Sequence, residues 1–275
     1  AEYTLPYLHH TLMEPPNSCV WVHDGICEVW TPNANTSNLL RAVTYLTGVP
    51  AEKVRVNRTP YVGGSFGRRG RTETEVEAIM ISQKIGLPVH VLHSREEDIT
   101  HSFNRPYTKT RLRASIDPSG NLTGWYQKIA CQEINETVLA EVAWPGTVDM
   151  ATIRADGAKL SALYNMPYDF FAANASPVTP PYNTVPNIHV ETVPMVNPVG
   201  VSHWRSVAKS GGIYVQESFV DELAEAAKMD PIAFRRQVFA KNPRALAVLD
   251  RIASFSEIVH LPEGGRVGQI GRAHV

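Results

Sequence analysis

The tightest constraint in this sequence is the run from Val54 to Gly86. Val54-Arg55-Val56 alternates like a strand and leads into Gly63-Gly64-Ser65-Phe66-Gly67-Arg68-Arg69. Thr72, with Glu75 three residues later, then reads as a capping box that opens a helix through Val76, Ile79, Met80 and Ile85 to Gly86. Glycines let the main chain approach a ligand closely and accept positive φ. A helix N-terminus offers free N–H groups and a partial positive charge to an anion. Arg68, Arg69 and Arg71 crowd the same place, and a guanidinium fork suits phosphate oxygens. The unit therefore reads as a holder for a phosphate-bearing or otherwise anionic ligand. The alternative is a tight turn whose arginines are solvated. The spacing matches neither a P-loop nor a dinucleotide fingerprint.

The flanking segments supply further elements. Val20 to Trp30 reads as two strands around a type I′ Asp24-Gly25 turn. Asn35-Thr36 caps a helix with Leu39, Leu40, Val43 and Leu46 on one face, ended by Gly48 and followed by Pro50. Pro88 to Leu92 is a strand. Thr110 to Ile116 and Leu122 to Ala130 form a hairpin around Asp117-Pro118-Ser119-Gly120. The Pro-rich stretch from about Asn135 to Asn187 reads as a long excursion. A helix is expected from about Ile213 to Lys228, and Asp230-Pro231 opens another through Arg236. The order predicts an α+β fold of mixed sheets with packed helices.

Composition removes several functions. The 275 residues allow one large domain or two modest ones. Lys plus Arg is 26 against 27 Asp plus Glu, so the chain lacks the basic footprint of a nucleic-acid or anionic-membrane binder. No apolar run approaches the ~18 residues of a membrane span, and no signal peptide precedes the first strand, so a soluble globular chain is expected. Cys19, Cys27 and Cys131 fit no zinc or iron–sulfur spacing. In the Asp24-Gly25 hairpin Val22 opposes Cys27 and Trp30 opposes Cys19, which puts the two sulfurs on opposite faces and forbids a bridge.

Other candidates are local. Trp204-Arg205-Ser206, ahead of a helix near Gly211-Gly212, presents amides to a ligand or is simply a buried Trp beside a surface Arg. Glu96-Glu97-Asp98 reads as an exposed acidic turn. His9-His10 and the other histidines show no metal-ligand spacing. No nucleophile elbow, H-E-x-x-H or Cys–His motif occurs.

Taken together, these motifs carry a resemblance. They are His10 with Met13-Glu14-Pro15-Pro16-Asn17, Gly63 to Arg69, Arg95-Glu96-Glu97-Asp98 with His101, Arg105-Pro106, Trp204-Arg205-Ser206-Val207, Glu217 to Leu223, and Asp230-Pro231 with Phe234-Arg235-Arg236. In this order the chain resembles the molybdopterin-binding large subunit of the xanthine dehydrogenase and aldehyde oxidase family. The likeness is greatest to the bacterial isoquinoline 1-oxidoreductase and aldehyde dehydrogenase branch.

The resemblance implies a molybdenum-dependent oxidoreductase that hydroxylates an aldehyde or N-heterocycle with oxygen from water. Its cofactor would be molybdopterin, in the cytosine dinucleotide form, carrying molybdenum. Electrons would leave to [2Fe–2S] centres on an iron–sulfur subunit, and a cytochrome c subunit is a further possible partner. Gly63, Gly64, Ser65, Phe66, Gly67, Arg68, Trp204, Arg205 and Ala34 would line the cofactor. Phe66 and Arg205 would direct backbone N–H groups at molybdenum's ligands, and Val207 would face the substrate. A bacterial periplasmic or cytoplasmic location is implied, with the periplasm favoured.

Two departures stand out. Ala34 occupies a position where many relatives carry a glutamine that reaches a molybdenum oxo ligand. Gly70 lies where xanthine-type members carry a substrate-binding glutamate. The family's catalytic glutamate is expected beyond residue 269, so the chain alone is expected to be inactive. Residues 1–262 read as the first molybdopterin-binding domain and 263–269 as the truncated start of the next segment. Residues 270–275 read as a non-native tail, because their back-translation resembles a sequencing adapter. Two rival readings stay open: a cofactor-binding module that has lost turnover, and a phosphate-ligand module unrelated to molybdenum.

Overall fold

The computed structural model describes residues 1–132, 185–195, 198–206 and 209–258. Most of the Pro-rich excursion, Val207 and the segment from 259 onward lie outside the described residues.

The first half is built on a four-stranded sheet in which β3 (Asn17–His23) and β4 (Ile26–Thr31) form the Asp24-Gly25 hairpin. Both turn residues have positive φ, +46° and +74°, as a type I′ turn requires. The register pairs Cys19 with Trp30 and Val22 with Cys27. Both cysteines are free thiols, Cys27 buried and Cys19 half-buried. From β4 the chain enters α1 (Thr36–Thr47) and returns as β5 (Val54–Arg58), parallel to β4. A parallel return needs such a crossover, because a hairpin can join only antiparallel strands. After the glycine loop come α2 (Glu73–Ile85) and β6 (Val89–Leu92), which completes the order β5-β4-β3-β6. Val20, Cys27 and Val29 from the sheet bury against Leu39 and Val43 of α1 and Ala78 and Ile79 of α2.

The second sheet joins β1 (Glu2–Leu5), β8 (Thr108–Ile116), β9 (Leu122–Gln132) and β10 (Asn187–Met195) in the order β1-β8-β9-β10. Its strands alternate, so one face carries Leu112 and Trp125 inward while Arg111 and Lys109 meet Glu2 outside. Over the inner face lie α4 (Lys209–Ala226) and α5 (Pro231–Val238), and α6 (Pro243–Ile258) packs on α5. Trp125 meets Phe219 edge-on with ring centroids 5.2 Å apart. Arg235, buried on α5, donates to Glu217 and Asp221 of α4 and fixes the two helices together. Between the sheets, β2 (Leu8–His9) pairs with β7 (Asn104–Arg105), and α3 (Arg95–His101) follows β6. The expected α+β class, with mixed sheets and packed helices, is what the chain adopts.

Four local expectations change. Glu75 does not close a capping box. Thr72 makes no side-chain cap bond, and the Glu75 carboxylate turns inward to accept from the Thr31 hydroxyl and the Asn33 amide. A buried hydroxyl and carboxamide need a partner, and that need outweighs the cap. Met80 and Ile85 point to solvent, because α2 buries Thr74, Ala78, Ile79 and Ser82 instead. Glu96-Glu97-Asp98 belongs to a helix rather than a turn: Ser94 caps α3, and Asp98 is fully buried against Arg95 and His9. Finally, α4 begins at Lys209 and takes in Gly211, where a Cβ would strike Leu5 of β1.

Burial raises the Glu75 pKa, so ionising it works against the fold. A carboxyl whose pKa is raised on folding costs stability as pH rises through its folded value. Glu75→Gln keeps an acceptor for Thr31 and Asn33 without the charge. Thermal unfolding should therefore show the variant gaining midpoint over the parent at pH 8, and the gain fading by pH 4. At the α5 start, Asp230 accepts from the N–H groups of Ile232 and Ala233 at 3.0 and 2.9 Å. Asp230→Ala should cost about 1 kcal/mol in denaturant unfolding.

Candidate functional site

The glycine loop owes its shape to three arginines that point into the protein. Arg68, Arg69 and Arg71 are buried. Arg69 donates through Nε to the Gly64 carbonyl at 2.6 Å, and through one terminal nitrogen to both the carbonyl and the carboxylate of Glu14 at 2.9 Å. Glu14 in turn accepts from the Gly63 N–H at 2.7 Å, and its own N–H donates to the Gly63 carbonyl at 3.1 Å. Gly63 is required there, because a Cβ would overlap the Cβ of Glu14. Burial pulls the Arg69 pKa down, and the carboxylates of Glu14 and Glu75 oppose that pull. Arg68 donates to the Ser102 hydroxyl at 2.6 Å and pairs with Glu73 at 2.8 Å. Arg71 lies 3.6 Å over the Phe103 ring.

These contacts correct the sequence reading of the loop. The arginines are buried rather than solvated, and Arg68 and Arg69 pair with carboxylates of the chain itself. Arg68, expected among the cofactor-lining residues, spends its guanidinium on Ser102 and Glu73. A cation surrounded by carboxylates and carbonyls is held inside because leaving any of those acceptors unpaired would be costly. Recognition through the side chains of this arginine cluster, on which the phosphate-ligand reading rested, loses its basis.

What the loop does present is main chain and Phe66. Phe66 has φ +51° and is 36% exposed, and glycines at +91° and +96° flank it. A non-glycine residue in this region stores strain and persists only where its surroundings fix it. The second expected loop sits directly against the first. A Cβ on Gly67 would fall inside the His203 carbonyl and 3.3 Å from the Trp204 nitrogen. Trp204 is half-buried, Arg205 and Ser206 are exposed, and Ser206 also has positive φ, +70°.

The third expected residue is nearby. The Ala34 N–H donates to the Arg69 carbonyl at 2.7 Å, so the turn before α1 touches the glycine loop. Of its neighbours, Asn33 is already committed. The Asn33 carboxamide is tied to the Arg71 carbonyl, Glu75 and the Asn35 N–H, while the Asn35 oxygen caps α1. Gly63, Gly64, Ser65, Phe66, Gly67, Trp204, Arg205 and Ala34 thus lie on three segments, of which the glycine loop touches the other two. A ligand settling there would meet backbone groups that two left-handed residues hold at the surface, together with the Arg205 cation. That donor set fits a polar, ring-shaped cofactor read by main-chain groups.

Sequence reasoning missed His10 as part of this site. It is buried, with Nε2 at 2.7 Å from the His203 carbonyl and Nδ1 at 3.1 Å from the Phe103 carbonyl. His10 stood among the motifs, but no short spacing links residues 10, 103 and 203, so its contacts could not be read from the sequence.

Comparison with known proteins places this geometry. Residues 1–133 match the family model described as the molybdopterin cofactor-binding domain. The beta subunit of isoquinoline 1-oxidoreductase from Brevundimonas diminuta is 27% identical over 89% of this chain and 29% of its own length. The molybdenum-binding subunit PaoC of an Escherichia coli aldehyde oxidoreductase is 27% identical over 86% of this chain and 28% of its own length. The aldehyde oxidoreductase structure from Desulfovibrio desulfuricans shares the fold at TM-score 0.68 and 16% identity, covering 94% of this chain and 27% of that one. The chain therefore spans under a third of the length of these relatives. Residues 1–133 thus match the molybdopterin cofactor-binding domain, and the chain as a whole is similar to a segment of each of these oxidoreductase subunits.

Proposed function

We propose that this chain supplies one wall of a molybdopterin site in a longer molybdenum-dependent oxidoreductase acting on an aldehyde or N-heterocycle. The observation that carries the reading is the contact of Gly67 with the His203 carbonyl, which joins the two main-chain loops, and the Ala34 N–H bonded to the Arg69 carbonyl supports it. The names of the isoquinoline and aldehyde oxidoreductase relatives support the substrate classes.

Bound molybdopterin would supply a metal that passes oxygen to carbon and takes up electrons, and the protein's part is orientation and exclusion of water. Gly64 and Gly67 let the backbone approach the cofactor. The N–H groups of Phe66 and Arg205 orient its polar atoms, and Phe66 and Trp204 shield it from solvent. Val207 is proposed to face the substrate, and the base that activates the reaction is proposed to lie beyond residue 269. The cytosine dinucleotide form, a [2Fe–2S] partner subunit, a cytochrome c subunit and a periplasmic location complete the proposal by family resemblance. No helix among the described residues is long and apolar enough to cross a membrane.

A second reading, a module that keeps the cofactor without turnover, rests on Ala34, which carries no side-chain donor while the Asn33 amide is engaged elsewhere.

Two variants of the full-length protein test these readings. Gly67→Val puts a β-branched side chain into the His203 carbonyl at a φ of +96°. Molybdenum content should fall at least tenfold while the far-ultraviolet circular dichroism stays near that of the parent. Unchanged metal content would reduce the loop to a turn. Ala34→Gln should raise turnover and shift the molybdenum paramagnetic resonance signal, by adding a hydrogen bond worth about 0.5–1.5 kcal/mol. Residues that orient ligands around a metal commonly change activity 10–100-fold. Identical spectra and rates would place residue 34 away from the metal.

A further inference from the structure

Three elements that are remote in sequence converge on one imidazole. His10 is 4% exposed. Its Nε2 lies 2.7 Å from the His203 carbonyl, and its Nδ1 lies 3.1 Å from the Phe103 carbonyl. A carbonyl only accepts, so each nitrogen must donate to bond its partner, and a neutral imidazole carries one N–H. Burial pulls the ring's pKa down to about 4, helped by Arg68 and His9 and opposed by the bonds to the two carbonyls, which favours the neutral form near pH 7. The single proton belongs on the nitrogen with the shorter contact.

The carbonyl it meets is the one against Gly67. A Cβ on Gly67 would collide with that same His203 oxygen, so the oxygen sits between Gly67 and His10. Beyond it, Ser206 is held at φ +70°, a strained conformation that needs a fixed approach. His10 is itself aimed rigidly. The Thr11 N–H donates to His9 Nδ1 at 2.9 Å, His9 Nε2 lies 3.4 Å from buried Asp98, and Arg95 reaches the Leu12 carbonyl. Phe103 is anchored independently, since Asn104 exchanges backbone hydrogen bonds with Gly200 and Ser202, at 3.0 and 2.9 Å. The same exchange holds Gly200 and Ser202, so what His10 adds on that side is the contact to the His203 carbonyl, at the start of the turn beyond.

We propose that His10 is a positioning residue whose Nε2–H, donated to the His203 carbonyl, holds the Trp204–Ser206 turn against Gly67 and so sets the second main-chain wall of the site. The consequence for a cofactor rests on the function proposed above; the effect on the turn does not. A glutamine amide can place its nitrogen near Nε2, whereas an asparagine amide places it near Nδ1, so the two variants separate the two contacts.

The test uses the full-length protein with His10→Phe, His10→Gln and His10→Asn, read by amide hydrogen exchange with mass spectrometry and by molybdenum content. In His10→Phe and His10→Asn, exchange at Trp204, Arg205 and Ser206 should quicken at least tenfold while α5 keeps its protection. In His10→Gln it should return to within about threefold of the parent. Molybdenum content should follow the same order. Should His10→Phe fail to fold, the Gln and Asn pair decides alone. Unchanged exchange in His10→Phe, or equal protection in the Gln and Asn variants, overturns the proposal. The exchange pattern with no molybdenum in the parent would uphold His10 and overturn the molybdenum reading instead.

Discussion

The buried guanidinium of Arg69 is the constraint on which the site depends. It holds the carbonyl of Gly64, the carbonyl of Glu14 and the Glu14 carboxylate at once, while its own backbone carbonyl receives the Ala34 N–H. One residue thus joins, through its side chain, the start of the glycine loop and the segment before β3, and, through its backbone, the turn before α1. Taking such a charge out of water is tolerable only because its surroundings are full of acceptors. Removing a partner from a buried pair typically costs about 3–5 kcal/mol. That penalty makes the loop rigid, and rigidity lets Phe66 sit exposed at positive φ.

Around this strut the neighbouring cations do related work. Arg68 reaches Ser102, and Arg71 covers Phe103, whose ring also meets the space a Cβ would occupy on Gly200. The glycine loop, the 102–104 segment and the 200–204 segment therefore form one joint. At Gly63, Gly67 and Gly200 the backbone and its neighbour come too close for a side chain. The apolar cores behind the joint, one under each four-stranded sheet, fix the strands and helices that deliver these segments. Neither core touches the site itself. Their role is to make the approach of the loops reproducible to a fraction of an ångström.

Much of the framework was legible from sequence. Asp24-Gly25, Gly48, Asp117 to Gly120 and Asp230-Pro231 act where they stand, because a turn or a cap is decided within four or five residues. The hairpin register that separates Cys19 from Cys27 followed from the same locality. Readings failed where a residue had two possible partners. Glu75 could cap α2 or satisfy Thr31 and Asn33, and the buried hydroxyl and carboxamide prevailed. Asp98 could be solvated or meet Arg95 and His9. Met80 and Ile85 fitted an apolar stripe, yet α2 meets the sheet on the face carrying Ala78, Ile79 and Ser82. The contacts of His10, though it stood among the motifs, were hidden because its partners are 93 and 193 residues away.

By itself, the sequence determined the α+β class, the hairpins, most helix ends, the glycine loop and the order of motifs that marks the family. These depend on local conformational preference and on residue identity, both of which are written along the chain. Only the tertiary structure decided that the arginines beside the loop face inward, that Gly67 lies against the His203 carbonyl, and that Ala34 borders the same surface. Those facts depend on which distant groups are available to share a buried charge or a buried donor. Spacing cannot reveal that choice, since a guanidinium among glycines is equally suited to a phosphate outside or a carboxylate within. The position of Glu14 and Glu73 in space settles it.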